Sequence, residues 1–251
     1  MTAGAPPEVL QPGGWFLSMD TSGKEGSVAL ARGEPGERME ILAKTDLAEE
    51  LEHASLLVPT ISDLLSEVGA DPGDLNGIVV GSGPGSFTGV RVGAATAKGM
   101  AWALGVPLWG FSSLAGAAAG TEEEPLRPRL ILFDARGDRV YAAAYRVARG
   151  SLETLMPPRA TTVGDVLDGL IPPGAVLMGD GTVRHRDLLE GAGNPILSPP
   201  AGRPSGTGLL RLLSFHPPAE PIEDLSRWEP DYLRESGAER MWKTTEGWKG
   251  R

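Results

Sequence analysis

The chain has no cysteine among its 251 residues. This absence excludes disulfide bonds, a thiol nucleophile and thiolate metal ligands together, and it suits a reducing compartment. Basic residues are scarce relative to acidic ones, because 23 Lys and Arg stand against 33 Asp and Glu and give a formal net charge of -10. Such a charge disfavours binding along the phosphate backbone of a nucleic acid, so contact with RNA requires the basic surface of a partner.

Long apolar runs are missing as well. The sequence contains no stretch of about 18 consecutive apolar residues that could span a bilayer. The opening residues, MTAGAPPEVLQPGG, have neither the basic region nor the apolar stretch of a signal peptide. With 41% hydrophobic and 22% charged residues, the composition is typical of globular proteins. We therefore expect a cytoplasmic protein without membrane contact, whose residues 1–14 form a flexible tail.

The short motifs that mark common catalytic sites are also absent. The three histidines, His53, His185 and His216, are far apart, and none has a second histidine four residues on, as a helical metal pair requires. Neither Ser82 nor Ser86 has glycine two residues away on both sides, so the serine hydrolase elbow is missing. A Walker phosphate loop is missing too. The sequence therefore predicts no catalytic residue, no metal site and no tightly bound cofactor.

One order of elements occurs twice along the chain. Each half begins with a strand that ends in an aspartate, Asp20 or Asp134, and continues through a turn into a second strand. A third strand, a helix, a strand and a further helix follow each hairpin. The predicted strands cover residues 15–20, 26–31, 39–44, 77–81, 130–133, 140–146, 152–156 and 175–178, and the predicted helices cover residues 51–68, 89–104, 163–170, 185–189 and 207–215.

This duplicated three-strand-plus-helices topology predicts an α/β protein with the two-lobed fold of actin-like (ribonuclease H-like, ASKHA) ATPases. We expect an N-terminal lobe over residues 15–112 and a C-terminal lobe over residues 113–234. The polar, proline-broken stretch before residue 129 favours a boundary in this part of the chain. Residues 235–251 are expected to form a loosely held tail.

The helix predicted over residues 51–68 has an apolar stripe at three-and-four spacing, which predicts one buried face. Pro59 lies within it, and because proline removes a backbone hydrogen bond we expect a kink or an early end there. Gly69 is the expected C-terminal stop. The stripe consists of Ala54, Leu57, Val58, Ile61, Leu64, Leu65 and Val68, and it leaves Leu56, Thr60 and Asp63 as the expected exposed residues.

Small residues form one ridge of the helix predicted over residues 89–104. Gly89, Gly93, Ala97 and Ala101 recur every four residues, so another backbone can approach this face closely. Glycine in a helix interior costs about 1 kcal/mol relative to alanine, which implies a compensating contact. Two interpretations are open, since the ridge either packs inside the domain or meets a partner helix.

Six blocks of the sequence occur in an order typical of one family. They are LSMDTSGKEGSVAL (17–30), EHASLLVPTISDLLSEVG (52–69), GPGSFTG (83–89), SSLAG (112–116), DARGDRVYAAAY (134–145) and EPDYLR (229–234). Together they resemble the TsaB (YeaZ) family of bacterial tRNA threonylcarbamoyladenosine biosynthesis subunits. The resemblance implies a non-catalytic subunit that pairs with TsaD for threonylcarbamoyl transfer to adenosine 37 of tRNA, with the ATPase TsaE as a further partner.

The same resemblance implies where partners bind. It points to the helices over residues 52–68 and 89–104 as the contact surface, to a homodimer when the chain is alone, and to tRNA contact only through the complex. The expected interface residues are Leu56, Thr60 and Asp63 on the first helix and Gly89, Gly93, Ala97 and Ala101 on the second.

The glycine-rich loop over residues 83–89 directly precedes a helix, so its backbone N–H groups are candidates to contact phosphate. In actin-like ATPases, whose fold the resemblance implies, the hairpin turns of both lobes contact phosphate and magnesium. The alternative is that Asp20 and Asp134 cap their own turns, and Arg136 departs from the small residues expected beside a triphosphate. The candidate residues for nucleotide or phosphate contact are Gly83, Gly85, Ser86, Thr88, Asp20, Thr21 and Asp134.

Two other functions are compatible with the sequence. One is a metal- or ATP-dependent enzyme of the same fold, a glycopeptidase or a small-molecule kinase, which tight metal or ATP binding by the isolated chain would reveal. The other is a regulator that binds ATP or ADP only at a subunit interface. Nucleotide affinity that appears only when a partner is added would favour the regulator.

Overall fold

The computed structural model describes residues 13–47, 53–121 and 127–233. The tails expected over residues 1–14 and 235–251 therefore lie outside the described residues, apart from residues 13 and 14. Among the described residues, no helix is long and apolar enough to cross a membrane.

The first sheet has the strand order β3-β2-β1-β4-β5. Its strands are β1 (Gly14–Asp20), β2 (Gly26–Gly33), β3 (Glu40–Leu47), β4 (Leu75–Gly81) and β5 (Leu108–Phe111). The first three form an antiparallel meander, whereas β4 pairs parallel to β1 and β5 pairs parallel to β4. As predicted, β4 is a continuous β-branched run covered on both faces.

The second sheet repeats this arrangement. Its strands are β6 (Pro128–Asp134), β7 (Arg139–Ala148), β8 (Ser151–Thr162) and β9 (Val176–Met178), in the order β8-β7-β6-β9. The first three are again antiparallel, and β9 pairs parallel to β6. Each sheet thus places its first strand between the second and the fourth, which confirms the duplicated two-lobed topology.

Strand β8 is much longer than the predicted strand over residues 152–156. It continues through Pro157 and Pro158, which sequence reasoning takes as a strand end. Proline is tolerated there because β8 is the edge of its sheet, so one side of the strand needs no hydrogen-bond partner.

The helices are α1 (His53–Glu67), α2 (Phe87–Leu104), α3 (Ser113–Gly120), α4 (Val163–Asp165, continued by a π-helical turn over Val166–Leu170), α5 (Asp180–Arg184), α6 (Arg186–Glu190) and α7 (Gly206–Leu213). Helices α3 and α5 were not predicted. Helices α1 and α2 cover one face of the first sheet, where Leu17 and Met19 point, and α7 covers the face of Phe16. The period-two alternation of β1 therefore directs its side chains into two separate cores.

Helix α1 continues through Pro59, so the expectation of an early end is wrong. Its buried stripe is also narrower than predicted. Leu57 and Ile61 are buried, but Ala54 is exposed and the Val58 side chain is 58% exposed. The apolar spacing alone did not separate residues that face the sheet, such as Leu57, from apolar neighbours that face solvent, such as Val58. Gly69 ends this region with a φ of 70°, as expected.

Helix α2 has clear local boundaries. The Ser86 side chain accepts a hydrogen bond from the Gly89 N–H, and Gly105 terminates the helix in the left-handed region with a φ of 68°. These caps explain why its bounds were predicted within a few residues.

The predicted small-residue ridge of α2 faces inward. Gly89, Gly93, Ala97 and Ala101 are all buried, and a Cβ atom at Gly89 would lie 2.0 Å from the Thr21 carbonyl oxygen. A Cβ at Gly93 would lie 2.5 Å from the Thr21 Oγ1. The assignment of these four residues to a partner interface is therefore wrong, because the ridge lets α2 approach the β1 end of the chain's own sheet.

Helices α3 and α7 lie between the two sheets. Helix α3 packs on β6 and β7, while Leu209, Leu210 and Leu213 of α7 pack on the first sheet. The two helices cross closely, since a Cβ atom at Gly208 would lie 1.9 Å from the Gly116 carbonyl oxygen. Residues 206–213 thus belong to the core of the first lobe although they follow the second lobe in sequence. The single lobe boundary predicted between residues 112 and 113 therefore does not describe the structure, because residues 206–213 return to the first lobe.

Candidate functional site

A cleft of about 580 Å³ opens between the two lobes. The cleft is lined by the β1–β2 turn, by the β6–β7 turn with the start of α5, and by the loop before α2. The residues that line it include Lys24, Gly85, Ser86, Thr88, Asp134, Arg136, Asp180, Asp231, Tyr232 and Leu233. Both hairpin turns named from the sequence therefore meet at this cleft.

Asp20 does not reach the cleft. Its side chain is completely buried, and its Oδ1 accepts hydrogen bonds from the Ser22 N–H at 3.0 Å and from the Ser113 Oγ at 3.1 Å. Burial raises the pKa of Asp20 above its ordinary value, although these hydrogen bonds act in the opposite direction. The residue ties the end of β1 to the start of α3, and it caps its own turn as one interpretation predicted.

Asp134 does line the cleft. Its Oδ1 accepts a hydrogen bond from the Arg136 N–H at 2.9 Å, so it too caps its turn, and the Arg184 Nε lies 3.5 Å away. Its own N–H donates to Asp180 Oδ1 at 2.9 Å. Burial raises the pKa of Asp180, and the neighbouring Asp134 charge adds to this effect, while the Lys24 charge opposes it.

A magnesium ion held jointly by Asp20 and Asp134 does not fit this geometry. The buried Asp20 is not among the cleft residues, whereas Asp134 faces the cleft and already pairs with Arg184. Among residues 13–47, 53–121 and 127–233, no group of three or more histidine, aspartate or glutamate side chains is placed to hold a metal. The candidate metal arrangement is therefore not formed.

Most of the candidate phosphate loop is engaged with the protein itself. The Gly83 N–H donates to the Ser113 Oγ at 3.1 Å, the Ser86 N–H donates to the Ser22 carbonyl at 2.7 Å, and the buried Thr21 hydroxyl donates to the Gly89 carbonyl at 2.7 Å. A Cβ atom at Gly85 would lie 2.2 Å from the Ser22 carbonyl oxygen. The glycines thus allow close packing of the loop on the β1–β2 turn. Gly83 and Thr21 are not positioned as ligand contacts.

Residues 231–233 were missed as part of the cleft, although the EPDYLR block was visible in the sequence. The Asp231 N–H donates to the Ser82 carbonyl at 2.8 Å, and the Ser82 Oγ donates to Asp231 Oδ2 at 3.0 Å. The Tyr232 ring lies 5.5 Å from the Phe87 ring, and the Arg91 guanidinium lies 3.8 Å above the Phe87 ring. The contact spans more than 140 positions of sequence, so only the aromatic and acidic character of the block could have suggested it.

A second surface lies on the outside of the first lobe, where α1 and α2 pack against each other. Trp102 is 81% exposed. Ala95, Gly99 and Ala103 follow one another at four-residue spacing and form an exposed row beside it on α2. Ala54 and Val58 are exposed on α1. We call these residues the outer face: Ala54, Val58, Ala95, Gly99, Trp102 and Ala103.

The three α1 residues expected at a partner interface are placed differently. Asp63 is exposed, but Leu56 is half-buried and packs against the first core, and Thr60 is half-buried. Leu56 is therefore not a free surface residue, because the stripe that α1 presents to the sheet is rotated relative to the prediction. The small residues that are exposed on α2 are instead Ala95, Gly99 and Ala103, whereas the predicted ridge is buried.

Comparison with known proteins gives consistent results. A family model described as TsaD, tRNA N6-adenosine threonylcarbamoyltransferase, matches residues 42–184. The tRNA threonylcarbamoyladenosine biosynthesis protein TsaB of Bacillus subtilis is 31% identical over 238 residues, which is 90% of this chain and 97% of the relative. A tRNA N6-adenosine threonylcarbamoyltransferase of Sorangium cellulosum is 33% identical over 132 residues, which is 47% of this chain and 36% of that protein.

Solved structures agree with the sequence comparison. YeaZ from Pseudomonas aeruginosa superimposes with a TM-score of 0.69 at 25% identity, covering 88% of this chain and 100% of that structure. A second structure from the same organism, described as similar to peptidase YeaZ, superimposes with a TM-score of 0.72 at 26% identity and the same coverage. The similarity thus extends through both lobes.

Proposed function

Because the chain belongs to the TsaB (YeaZ) family of tRNA threonylcarbamoyladenosine biosynthesis proteins, we propose that it is a non-catalytic subunit of the modifying complex. In this role it binds a TsaD-type threonylcarbamoyltransferase through the outer face of α1 and α2. The catalytic subunit then transfers the threonylcarbamoyl group to adenosine 37 of tRNA.

The exposed Trp102 is the observation that carries the binding part of this proposal. A tryptophan that is 81% exposed on a helix leaves a large apolar surface in water. Tryptophan is also among the residues that contribute most to binding when a partner buries them. The adjacent row of Ala95, Gly99 and Ala103 has almost no side-chain bulk, and a Cβ atom at Gly99 would have no other atom within 4 Å. A partner helix can therefore approach α2 closely beside the tryptophan.

The comparisons support a TsaD-type partner. The same chain matches a TsaD family model over residues 42–184, a range that includes both α1 and α2. Two chains with one fold can pair through the same elements in a nearly two-fold arrangement, in which each outer face covers the other. This pairing also supports a homodimer of the chain in the absence of its partner.

The cleft supports the non-catalytic part. The described residues provide no cluster of metal ligands, Asp20 is sealed inside the protein, and Asp134 is paired with Arg184. A group that activates water or a substrate hydroxyl needs access to the reacting atoms, which Asp20 lacks. We further propose a TsaE-type ATPase as a second partner and ATP or ADP as a ligand that binds only at a subunit interface. Family membership alone supports these two parts.

Binding can be measured directly by titrating a TsaD-type subunit with this chain in a calorimeter. We expect Trp102→Ala to weaken the affinity by at least about tenfold, the effect of losing a well-packed interface anchor. Leu188→Ala is the matched control, because Leu188 is 58% exposed on α6 of the second lobe. Equal affinities for the Trp102→Ala variant and the unaltered chain would exclude the outer face as the binding site.

A further inference from the structure

The last described part of the chain runs along the first lobe and ends among the residues that line the cleft. It begins beside β5, where the Ile222 N–H donates to the Leu108 carbonyl at 2.8 Å and the Trp109 Nε1 donates to the Ala219 carbonyl at 2.9 Å. Further on, the Trp228 ring lies against Gly110, and the Lys98 Nζ donates to the Trp228 carbonyl at 3.0 Å. Residues 219–228 are thus fixed to β5 and α2. We call them the anchor.

Residues 231–233 are held in a different way. Asp231, Tyr232 and Leu233 are all exposed, although they line the cleft. Two hydrogen bonds with Ser82 hold Asp231. Tyr232 is held by its ring contact with Phe87 and by a long hydrogen bond of 3.3 Å from the Arg91 Nε to its hydroxyl. The hydrogen bond to Tyr232 is exposed and the side-chain bond to Asp231 is partly buried. A few contacts of this kind are individually weak and open at a low cost in free energy.

Asp231 occupies a place next to the loop before α2 that an anion would otherwise reach. Asp231 lies against the loop before α2, since a Cβ atom at Gly83 would lie 3.3 Å from the Asp231 carbonyl oxygen. Its carboxylate is bonded to the Ser82 hydroxyl at the start of that loop. An anion that reached this loop would therefore have to displace a carboxylate that the chain itself supplies.

We propose that residues 231–233 form a latch that closes the interlobe cleft over the loop before α2 and opens while the anchor stays in place. The latch closes because Asp231 binds Ser82 and Tyr232 packs on Phe87 and Arg91. It opens because Asp231 and Tyr232 are exposed. The anchor stays in place because it is hydrogen-bonded to β5. The latch thus controls which solutes reach the loop before α2.

The absence of cysteine from the sequence allows a direct test. Val90 lines the cleft, is only 3% exposed and lies beside Gly83, as Asp231 does. Val90→Cys therefore places a single thiol of similar size in the cleft wall close to the latch. Val79→Cys places a control thiol in the centre of β4, where the side chain is completely buried. The rate of alkylation by iodoacetamide then reports opening of the cleft in the Val90→Cys variant and unfolding of the lobe in the Val79→Cys variant.

The side-chain contacts of the latch are removed by combining Asp231→Ala with Tyr232→Ala in each background, while the backbone hydrogen bond from the Asp231 N–H to the Ser82 carbonyl remains. We expect alkylation at position 90 to become roughly tenfold faster, which is the effect of losing about 1.4 kcal/mol of latch contacts. Alkylation at position 79 should not change. Asp231→Asn keeps an acceptor for the Ser82 hydroxyl, so it should leave both rates close to those of the unaltered latch.

Two results would overturn the proposal. An unchanged rate at position 90 after removal of the latch would show that residues 231–233 do not limit access to the cleft. An equal acceleration at both positions would show that these residues are part of the stability of the lobe and do not open separately.

Discussion

Gly99→Leu separates partner binding from folding, because the structure predicts opposite effects on the two. Gly99 lies inside the 18-residue helix α2, is exposed, and has no atom within 4 Å of the position of an added Cβ. The Cβ of a leucine there meets no atom beyond its neighbouring residues and its own helix backbone. Since glycine is less favourable than leucine in a helix interior by roughly 0.5–1 kcal/mol, the free energy of unfolding should rise by that amount.

The same substitution should weaken association with a TsaD-type subunit. If a partner helix approaches α2 at the row of Ala95, Gly99 and Ala103, the leucine occupies space that the partner backbone needs. Overpacking a close contact costs about 1–3 kcal/mol, which corresponds to roughly a 5- to 150-fold rise in Kd. Urea denaturation of the monomeric chain, at a concentration below that at which any homodimer forms, measures the first effect, and calorimetric titration measures the second.

Gly164→Leu provides the control, because Gly164 is an exposed glycine of the short helix α4 on the second lobe. It should leave the affinity unchanged. The reasoning is refuted if Gly99→Leu raises stability and binds the partner as tightly as the unaltered chain, since the partner would then not approach this row.

Three further substitutions test the packing of the molecule. Ala97→Leu should lower the free energy of unfolding by about 1–3 kcal/mol in urea denaturation, because Ala97 is completely buried on the face of α2 that packs on the first sheet; unchanged stability would contradict the inward-facing ridge. Burial raises the pKa of Asp20 above 3.8, so its ionisation in the folded chain reduces stability as pH rises from about that value through the folded pKa. The stability of Asp20→Asn relative to the unaltered chain should therefore increase between pH 4 and pH 7, and a pH-independent difference would show that the carboxyl does not titrate abnormally. Arg129 is buried and donates to the Ala118 and Thr121 carbonyls at the end of α3, so Arg129→Met should lower the unfolding free energy by about 1–3 kcal/mol; a neutral result would show that these carbonyls find other partners.

Features set by local sequence could be predicted, and features set by distant contacts could not. The hairpin turns at Asp20 and Asp134 and the stop at Gly69 depend on a few neighbouring residues, and the sequence identified each of them. The bounds of α2 were predicted closely for the same reason, since its caps are local as well. The same order of elements in the two halves, each with an aspartate at the end of its first strand, also predicted the duplicated fold.

The side of a helix that becomes buried depends on what packs against it. The four-residue row of Gly89 and Gly93 and the neighbouring row of Ala95 and Gly99 both have small side chains, and spacing alone does not decide which one faces the sheet. The contact of Thr21 with Gly89 decides it, and that contact joins residues 68 positions apart. The return of α7 to the first sheet and the position of Tyr232 at the cleft depend on still longer separations.

The most direct test of the proposed role is a reconstituted modification reaction. Purified chain, a TsaD-type subunit, or both together are incubated with tRNA and threonylcarbamoyl-adenylate, and modified adenosine 37 is quantified by mass spectrometry. We predict that the chain alone produces no modified adenosine, that both proteins together exceed the TsaD-type subunit alone, and that Trp102→Ala reduces this increase. Modification by the chain alone, or an equal yield with and without it, would contradict the account.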